Sequence, residues 1–428
     1  MDFNTLLLKF GFNSSDFVNK FIDPIEIDNG LIYEVEEAYK KHICPFCNYD
    51  RIRIHDYKYS EKTLNSISSF QEILRIRRIR YKCPKCGKTH TLSLTGIERG
   101  NNVSAFTINL IKNEFYEIQS FSAIARRYGL STNEVINIFD KYTNIMPRRP
   151  LPEYLCIDEK YFKTELGNKY VVILSDFFSG EVIDIIEGRK MPYLDEYFSS
   201  ISLRERNNVK VVISDMYDGY SAVKNKYFKK AIFVVDLFHV IKLLTTVINR
   251  LRLRTCNLYT KEGSIERNFM KRNWKMFLID KYKIHRNDFY SKKFDMHISY
   301  GDIILRCVQL NNTFWDGYNV LQELLHYDKY ETYGEAEKFM NRIISKLALA
   351  EDEMLIKVAE SYRKWKVGII NGLAKNQTGK RFSNSVAENV NSHIDKVINA
   401  SYGYRNFRRF RARVMLILTY NKKRKCTY

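Results

Sequence analysis

Apolar and polar positions change period several times along this chain, and the changes mark its expected elements. Residues 1–40 are weakly patterned and predict short helices. Residues 41–92 alternate around a basic, β-rich stretch, and residues 103–145 return to a helical period. Met146-Pro-Arg-Arg-Pro-Leu-Pro152 holds three of the seven prolines and reads as a linker. Short runs rich in Val, Ile, Tyr and Phe follow at 154–158, 169–175, 181–187, 209–214 and 231–236, predicting five strands. From about 237 to 375 the pattern is helical, and a last helical segment, 383–420, runs into a basic tail. The boundaries divide the chain into 1–40, 41–92, 103–145, 150–240, 241–375 and 376–428.

Composition narrows the class. At 428 residues with 45% hydrophobic positions, the chain is long enough for several domains and a sizeable core. Lys and Arg number 70 against 49 acids, a formal charge of +21. That surplus favours a polyanion, because cations that meet phosphates release condensed counterions; a basic chain without such a partner is the plainer alternative. The sequence has no uninterrupted apolar run of membrane-spanning length, and its first residues lack a basic leader, so a cytoplasmic protein is expected.

Four of the eight cysteines fall in two CPxC turns, Cys44-Pro-Phe-Cys47 and Cys83-Pro-Lys-Cys86. Tight CxxC turns aim two thiolates at one point, and two such turns supply the tetrahedron that one structural Zn²⁺ requires. A redox dithiol would need one pair beside a βαβ pattern, which is missing. His42, His55 and His90 are expected at the surface, and Cys156, Cys256, Cys307 and Cys426 as ordinary free thiols. Between the pairs, Arg75, Arg77, Arg78, Arg80 and Lys82 lie in a stretch from Leu74 to Lys88 without an acid, which points to phosphate contact.

Residues 120–140 fit a helix, a turn at Gly129 and a second helix, with Ile124, Ala125 and Tyr128 facing Val135, Ile138 and Phe139. Ser131 or Thr132 would cap the second helix and, with Asn133, place it for a major groove; an ordinary helical hairpin is the alternative.

Two of the expected strands end in carboxylates, Asp158 at the end of 154–158 and Asp215 just past 209–214. Hard Mg²⁺ or Mn²⁺ takes carboxylate oxygens, and two such ions about 4 Å apart can cut a phosphodiester. A third acid is needed. Glu388 shares a helix face with Asn384, Asn391 and Asp395, although Ser385-x-x-Glu388 also reads as a capping box. Asp236 and His239 are possible accessory groups, and Asp176 and Asp218 are expected to be solvated neighbours.

With these motifs goes Asp236-Leu-Phe-His239-Val-Ile-Lys-Leu-Leu, then Ser383-Asn384 followed by Glu388 and Asn391, then Tyr402-Gly-Tyr-Arg-Asn-Phe407. The ordered set resembles the zinc-finger DDE transposases of the bacterial ISL-three insertion-sequence group, from about residue 40 to 420. The resemblance implies an N-terminal zinc ribbon and helix-turn-helix, then an α/β RNase-H-like catalytic domain interrupted by an all-helical insertion. It implies Asp158, Asp215 and Glu388 as the catalytic, metal-binding triad with two Mg²⁺ or Mn²⁺ ions. The chain departs from the family pattern at Ser385 and Asn389, where glycine is usual. The implied partners are the element's terminal inverted repeats and target DNA, bound by a homo-oligomer at the nucleoid. Arg405, Arg408, Arg409, Arg411 and Arg413 form a stripe without acids that could grip flanking phosphates, an exposed helix face being the plainer alternative. A DNA-binding regulator without catalysis and a nuclease that cuts without joining are the rival functions.

Overall fold

The computed structural model describes residues 3–9, 12–18, 23–67, 70–94, 103–258, 264–284, 287–326, 332–375, 382, 385–401 and 403–420. Ser383, Asn384, Tyr402, Cys426 and the side chains of Ser385 and Val386 lie outside the described residues. The chain divides into two compact units, Met1–Pro147 with His393–Tyr428, and Arg148–Ser392.

The first unit opens with helix α1 (Phe3–Lys9) and then turns to strands, β1 (Ile25–Ile27) and β2 (Gly30–Glu36). This corrects the expectation of a helical segment over 1–40. The reason is local: Ile25 and Ile27 alternate with Glu26, and Asp28-Asn29 supplies a two-residue turn that pairs Ile27 with Gly30. Strands β3 (Arg53–Ile67) and β4 (Phe70–Lys82) form a long antiparallel hairpin, β2 joins β4 in parallel, and β5 (Thr89–His90) pairs with the end of β4. Leu74 and Ile76 of β4 pack with Phe3, Leu7, Phe12, Phe17, Val35 and Leu94. Further along, burial passes to Ile79 and Tyr81, which alternation places on the opposite face.

Helices α2 (Ala105–Glu114), α3 (Phe121–Arg127) and α4 (Thr132–Tyr142) complete this unit's N-terminal part. Ser104, Ser120 and Ser131 cap them, and Ser131 forms a capping box with Glu134. Gly129 turns the chain between α3 and α4 at φ +63°, a conformation that costs glycine little.

The second unit is built on a five-stranded sheet of β6 (Tyr154–Tyr161), β7 (Tyr170–Asp176), β8 (Val182–Ile186), β9 (Val211–Ser214) and β10 (Ile232–Val235). The order is β10-β9-β6-β7-β8, with β10, β9 and β6 parallel and β7 and β8 antiparallel to their neighbours. Helices α5 (Met191–Ser199), α6 (Leu203–Asn207) and α7 (Asp218–Tyr227) fall between strands. The 22-residue α8 (Leu237–Leu258) then opens a helical body with α9 (Ile265–Arg272), α10 (Tyr300–Val308), α11 (Asn312–Leu325), α12 (Tyr333–Ala348), α13 (Glu353–Lys364) and α14 (Lys366–Leu373). A two-stranded hairpin, β11 (Phe289–Ser291) with β12 (Met296–Ile298), interrupts it. Helix α14 covers the edge strand β10: Asn371 donates to the Phe233 carbonyl at 2.8 Å, which satisfies a group that a bare sheet edge would leave open. No helix among the described residues is long and apolar enough to cross a membrane.

Helix α15 (Ser385–Ala400) begins in the second unit, and α16 (Phe407–Val414) belongs to the first. Ala412 and Leu416 join the buried cluster of Ile108, Ile111, Phe115, Ile124, Val135 and Phe139. Arg413 is fully buried, and its guanidinium donates to the carbonyls of Phe115, Glu117 and Gln119 at 2.8–2.9 Å. Those carbonyls follow α2 and would otherwise lack partners. Arg413→Ala should therefore destabilise this unit by about 3 kcal/mol or more, since it leaves three carbonyls unpaired and a cavity. A shift of under about 1 kcal/mol in denaturant unfolding of the full chain would refute this.

Candidate active site and metal centre

In the first unit, turn residues after each strand end bring four sulfurs together. Cys44 N–H bonds to the Tyr49 carbonyl and Cys83 N–H to the Lys88 carbonyl, so each CPxC segment closes as a knuckle. The Sγ atoms of Cys44, Cys47, Cys83 and Cys86 all lie within 4.8 Å of one another. Cys44–Cys86 and Cys47–Cys83 are 3.7 and 3.6 Å apart. A disulfide would be about 2 Å. Zn–S bonds of about 2.3 Å in a tetrahedron give edges of about 3.8 Å, so the donor set fits a metal ion. The four thiols are the one such group of three or more metal-ligating residues among the described residues. His42 and His90 face each other, Nε2 to Nε2 at 2.8 Å, against Tyr81 and outside that set.

The arginines of β4 are spoken for. Arg75 pairs with Glu34 and Glu61, Arg77 with Glu36, Arg78 with Glu37 and Arg80 with Asp56. The stretch lacks acids in sequence, but its neighbours β2 and β3 supply them in register. Lys82 is exposed and has no ion pair among the described residues. Ser131, Thr132 and Asn133 are exposed at the start of α4. Arg405 is exposed, whereas Arg408 donates to Asn144, Arg409 makes a two-pronged pair with Asp140, and Arg411 donates to the Met146 carbonyl.

In the second unit, strand register gathers carboxylates. Ile157 of β6 sits opposite Ser214 of β9, and Ser214 opposite Val235 of β10. The next residues on these three neighbouring strands are Asp158, Asp215 and Asp236. The expectation of Asp158 at a strand end is corrected: it lies inside β6, because β6 continues to Tyr161 against β7 after its pairing with β9 stops. Cys156, Val211, Ile213 and Val234 form one buried cluster with Phe177 and Phe382, and alternation places Asp158 on that face.

Asn391 of α15 reaches this face, donating from Nδ2 to Asp158 Oδ2 at 2.7 Å. Glu388 lies one turn earlier on the same face of the helix and is exposed. Burial, then Lys242, lowers the pKa of His239, while Glu159 and Glu388 oppose the shift. Burial also raises the pKa of Asp158. Burial and the negative charges of Glu159 and Asp158 push Asp215 up to about 7, against the pull of Arg189. Asp215 Oδ1 and Asn391 Oδ1 are buried without hydrogen-bond partners. Crowding of acids and burial together raise these carboxyl pKa values, as happens wherever like charges share a poorly solvated site, although among the described residues no three of these acids meet as closely as the four thiols do. Asp176 accepts from Phe178 N–H and Ser179 in a turn, and Asp218 pairs with Lys364.

Sequence reading missed Arg189. It follows β8, pairs with Glu159 at 2.7 Å and lies over the rings of Tyr170 and Tyr217 at 4.5 and 5.4 Å. Nothing local in Glu187-Gly-Arg-Lys190 announces it; only the fold brings it to the acids.

A family model described as Transposase, the ISL-three group of DDE transposases, matches residues 155–414. The chain belongs to this family. The match runs from β6, through all three acids of the strand row and Glu388, to the end of α16. No curated protein matches the transposase.

Two outcomes follow. Purified transposase should carry one tightly held metal ion in the cysteine site, and Cys44→Ser should release it; metal-free protein prepared without chelator would refute the site. Asp215 has its folded pKa raised, so stability is complete at low pH and is lost as pH rises through about 7. Asp215→Asn should then stabilise the metal-free protein at pH 8 by on the order of 2 kcal/mol and have little effect near pH 4. Equal effects at both pH values would refute the assignment.

Proposed function

We propose that this transposase cleaves and joins DNA strands at the ends of its element, with divalent cations held by Asp158, Asp215 and Glu388. The observation that carries the reading is the register that sets Asp158 beside Asp215, with Asn391 of the Glu388 helix bonded to Asp158. The strand order β8-β7-β6-β9-β10, three antiparallel strands followed by two parallel ones, supports an RNase-H-like core. In this reading the helical body from α8 to α14 is the insertion that precedes the last acid.

Divalent ions held there by Asp158, Asp215 and Glu388 would supply activation of an attacking oxygen and charge stabilisation of a leaving one. The chain's own contribution is geometric and electrostatic. Asn391 and the Glu159 N–H, at 2.8 Å, fix the two oxygens of Asp158. Arg189 holds Glu159 and draws on Asp215, which limits how far burial can protonate the site. The attacking group is water for the first cut and the freed 3′ hydroxyl for joining.

Recognition of the terminal repeats falls to the first unit. The cysteine knuckles would hold structural Zn²⁺, and α3 and α4 would act as a helix-turn-helix with Ser131, Thr132 and Asn133 at the groove. Paired as they are, Arg75, Arg77, Arg78 and Arg80 would order the ribbon, leaving Lys82 for phosphate. Arg408 and Arg409 likewise hold α16 to its neighbours, while Arg405, exposed and without an ion pair among the described residues, would meet DNA. A homo-oligomer would bring two element ends together.

Asp158→Asn, Asp215→Asn and Glu388→Gln should each lower cutting of DNA bearing the element's ends by at least about a thousandfold, because charge rather than shape seats the cations. Binding should survive, and Asp218→Asn and Asp176→Asn should keep most activity. Normal cutting by Glu388→Gln would move the third ligand elsewhere. Selective binding by wild type without cutting in Mg²⁺ or Mn²⁺ would make the protein a regulator.

A further inference from the structure

Next to the Arg189–Glu159 pair, residues of the β6–β7 hairpin and of the segment after β8 line an open cavity of about 280 Å³. Gly167, Asn168, Lys169, Tyr170, Arg189 and Lys190 line it. Tyr161 and Tyr170 pair across the hairpin, with ring centroids 5.7 Å apart and planes nearly perpendicular. Both hydrogen bonds from Arg189 to Glu159 use Nη1, so Nε and Nη2 have no partner among the described residues. Lys169 and Lys190 are exposed and likewise have no ion pair among them.

We infer that this cavity binds one unpaired nucleotide of the DNA strand next to the bond being cut. The inference rests on the catalytic reading of Asp158 and Asp215. A tyrosine ring with a cation over one face can stack any base on its other face, and lysine with a two-donor guanidinium edge accepts phosphate. The volume suits a single nucleotide, just below the range of about 300–1,000 Å³ typical of small-molecule sites. Position argues for an unpaired one. Alternation puts Glu159, and with it Arg189, on the sheet face opposite Asp158, while Asp215 at the strand end feels both Glu159 and Asp158. A strand running from Asp215 into the cavity must turn round the sheet edge. Duplex DNA, with a persistence length of about 150 bp, does not make that turn, whereas a frayed or flipped nucleotide does.

The test uses the full chain in Ca²⁺ and one duplex, blunt or with short thymidine overhangs. Wild type should bind the overhang form about tenfold more tightly, in line with the loss per base when a stacking aromatic is removed. Tyr170→Ala should bring the ratio close to one, and Tyr170→Phe should restore it. The exposed pair Lys169→Gln with Lys190→Gln should weaken overhang binding and flatten its salt dependence without disturbing the fold. Equal binding of both duplexes by wild type, or an unchanged ratio in Tyr170→Ala and in the lysine pair, overturns the inference. Cutting in Mg²⁺ is read separately: its absence defeats the catalytic reading and leaves the binding ratio to stand or fall alone.

Discussion

Strands β6, β9 and β10 pair in parallel, and the register of those pairs decides where negative charge gathers. Parallel strands run the same way, so an acid placed one residue past the aligned row Ile157, Ser214 and Val235 comes near its neighbours by construction. Gathering such acids is unfavourable, because burial and mutual repulsion both disfavour the charged form. What tolerates it is the apolar packing beneath. Leu155, Ile157, Val172, Leu174 and Val212 are buried on one face, and Cys156, Val211, Ile213 and Val234 on the other. Each fully buried aliphatic side chain contributes roughly 1.5–3 kcal/mol. The sheet can therefore hold its acids close together before any cation arrives.

The basic surplus has two uses, and the structure separates them. In the first unit arginine acts largely inside the protein: four arginines of β4 pair with acids from neighbouring strands, and Arg409 and Arg413 tie α16 to α2–α4. Arginine suits this work, since its planar fork can bond several carbonyls or a carboxylate at once. The exposed lysines Lys82, Lys169 and Lys190 are left to face solvent, where a compact hydrated charge is at no disadvantage. A positive formal charge is thus a poor map of a nucleic-acid surface until the intramolecular pairs have been removed from it.

The same distinction explains what the sequence could disclose. Short-range features were legible: the CPxC turns carry their own geometry, and the five apolar runs near 154–236 correspond to β6–β10. The strands at Ile25–Ile27 and Gly30–Glu36 were not, because β2 owes its place to parallel pairing with β4, some forty positions later. Arg189 escaped for a similar reason, as its partners Glu159, Tyr170 and Tyr217 come from three separate segments. The arginine run of β4 misled in the opposite direction. Its own stretch lacks acids, and only strand register reveals Glu34, Glu36, Glu61 and Asp56 beside it.

The three acids in the strand row differ in what offsets their charge, and that difference says which of them most needs a cation. Asp158 has Asn391 on one oxygen and the Glu159 N–H on the other. Asp236, though only 1% exposed, stands immediately before α8 and accepts from Phe238 N–H at 3.1 Å, so the start of a 22-residue helix stabilises it. Asp215 has neither device. Its Oδ1 is buried without a partner, and Arg189 acts on it through charge alone. It is also the acid whose pKa is pushed up to about 7. The start of α8 thus offsets part of the charge on Asp236, whose other oxygen lies 3.7 Å from His239 Nε2, while Asp215 has Arg189 acting on it at a distance. A cation in the proposed site would gain most at Asp215, with Asp158 already oriented beside it.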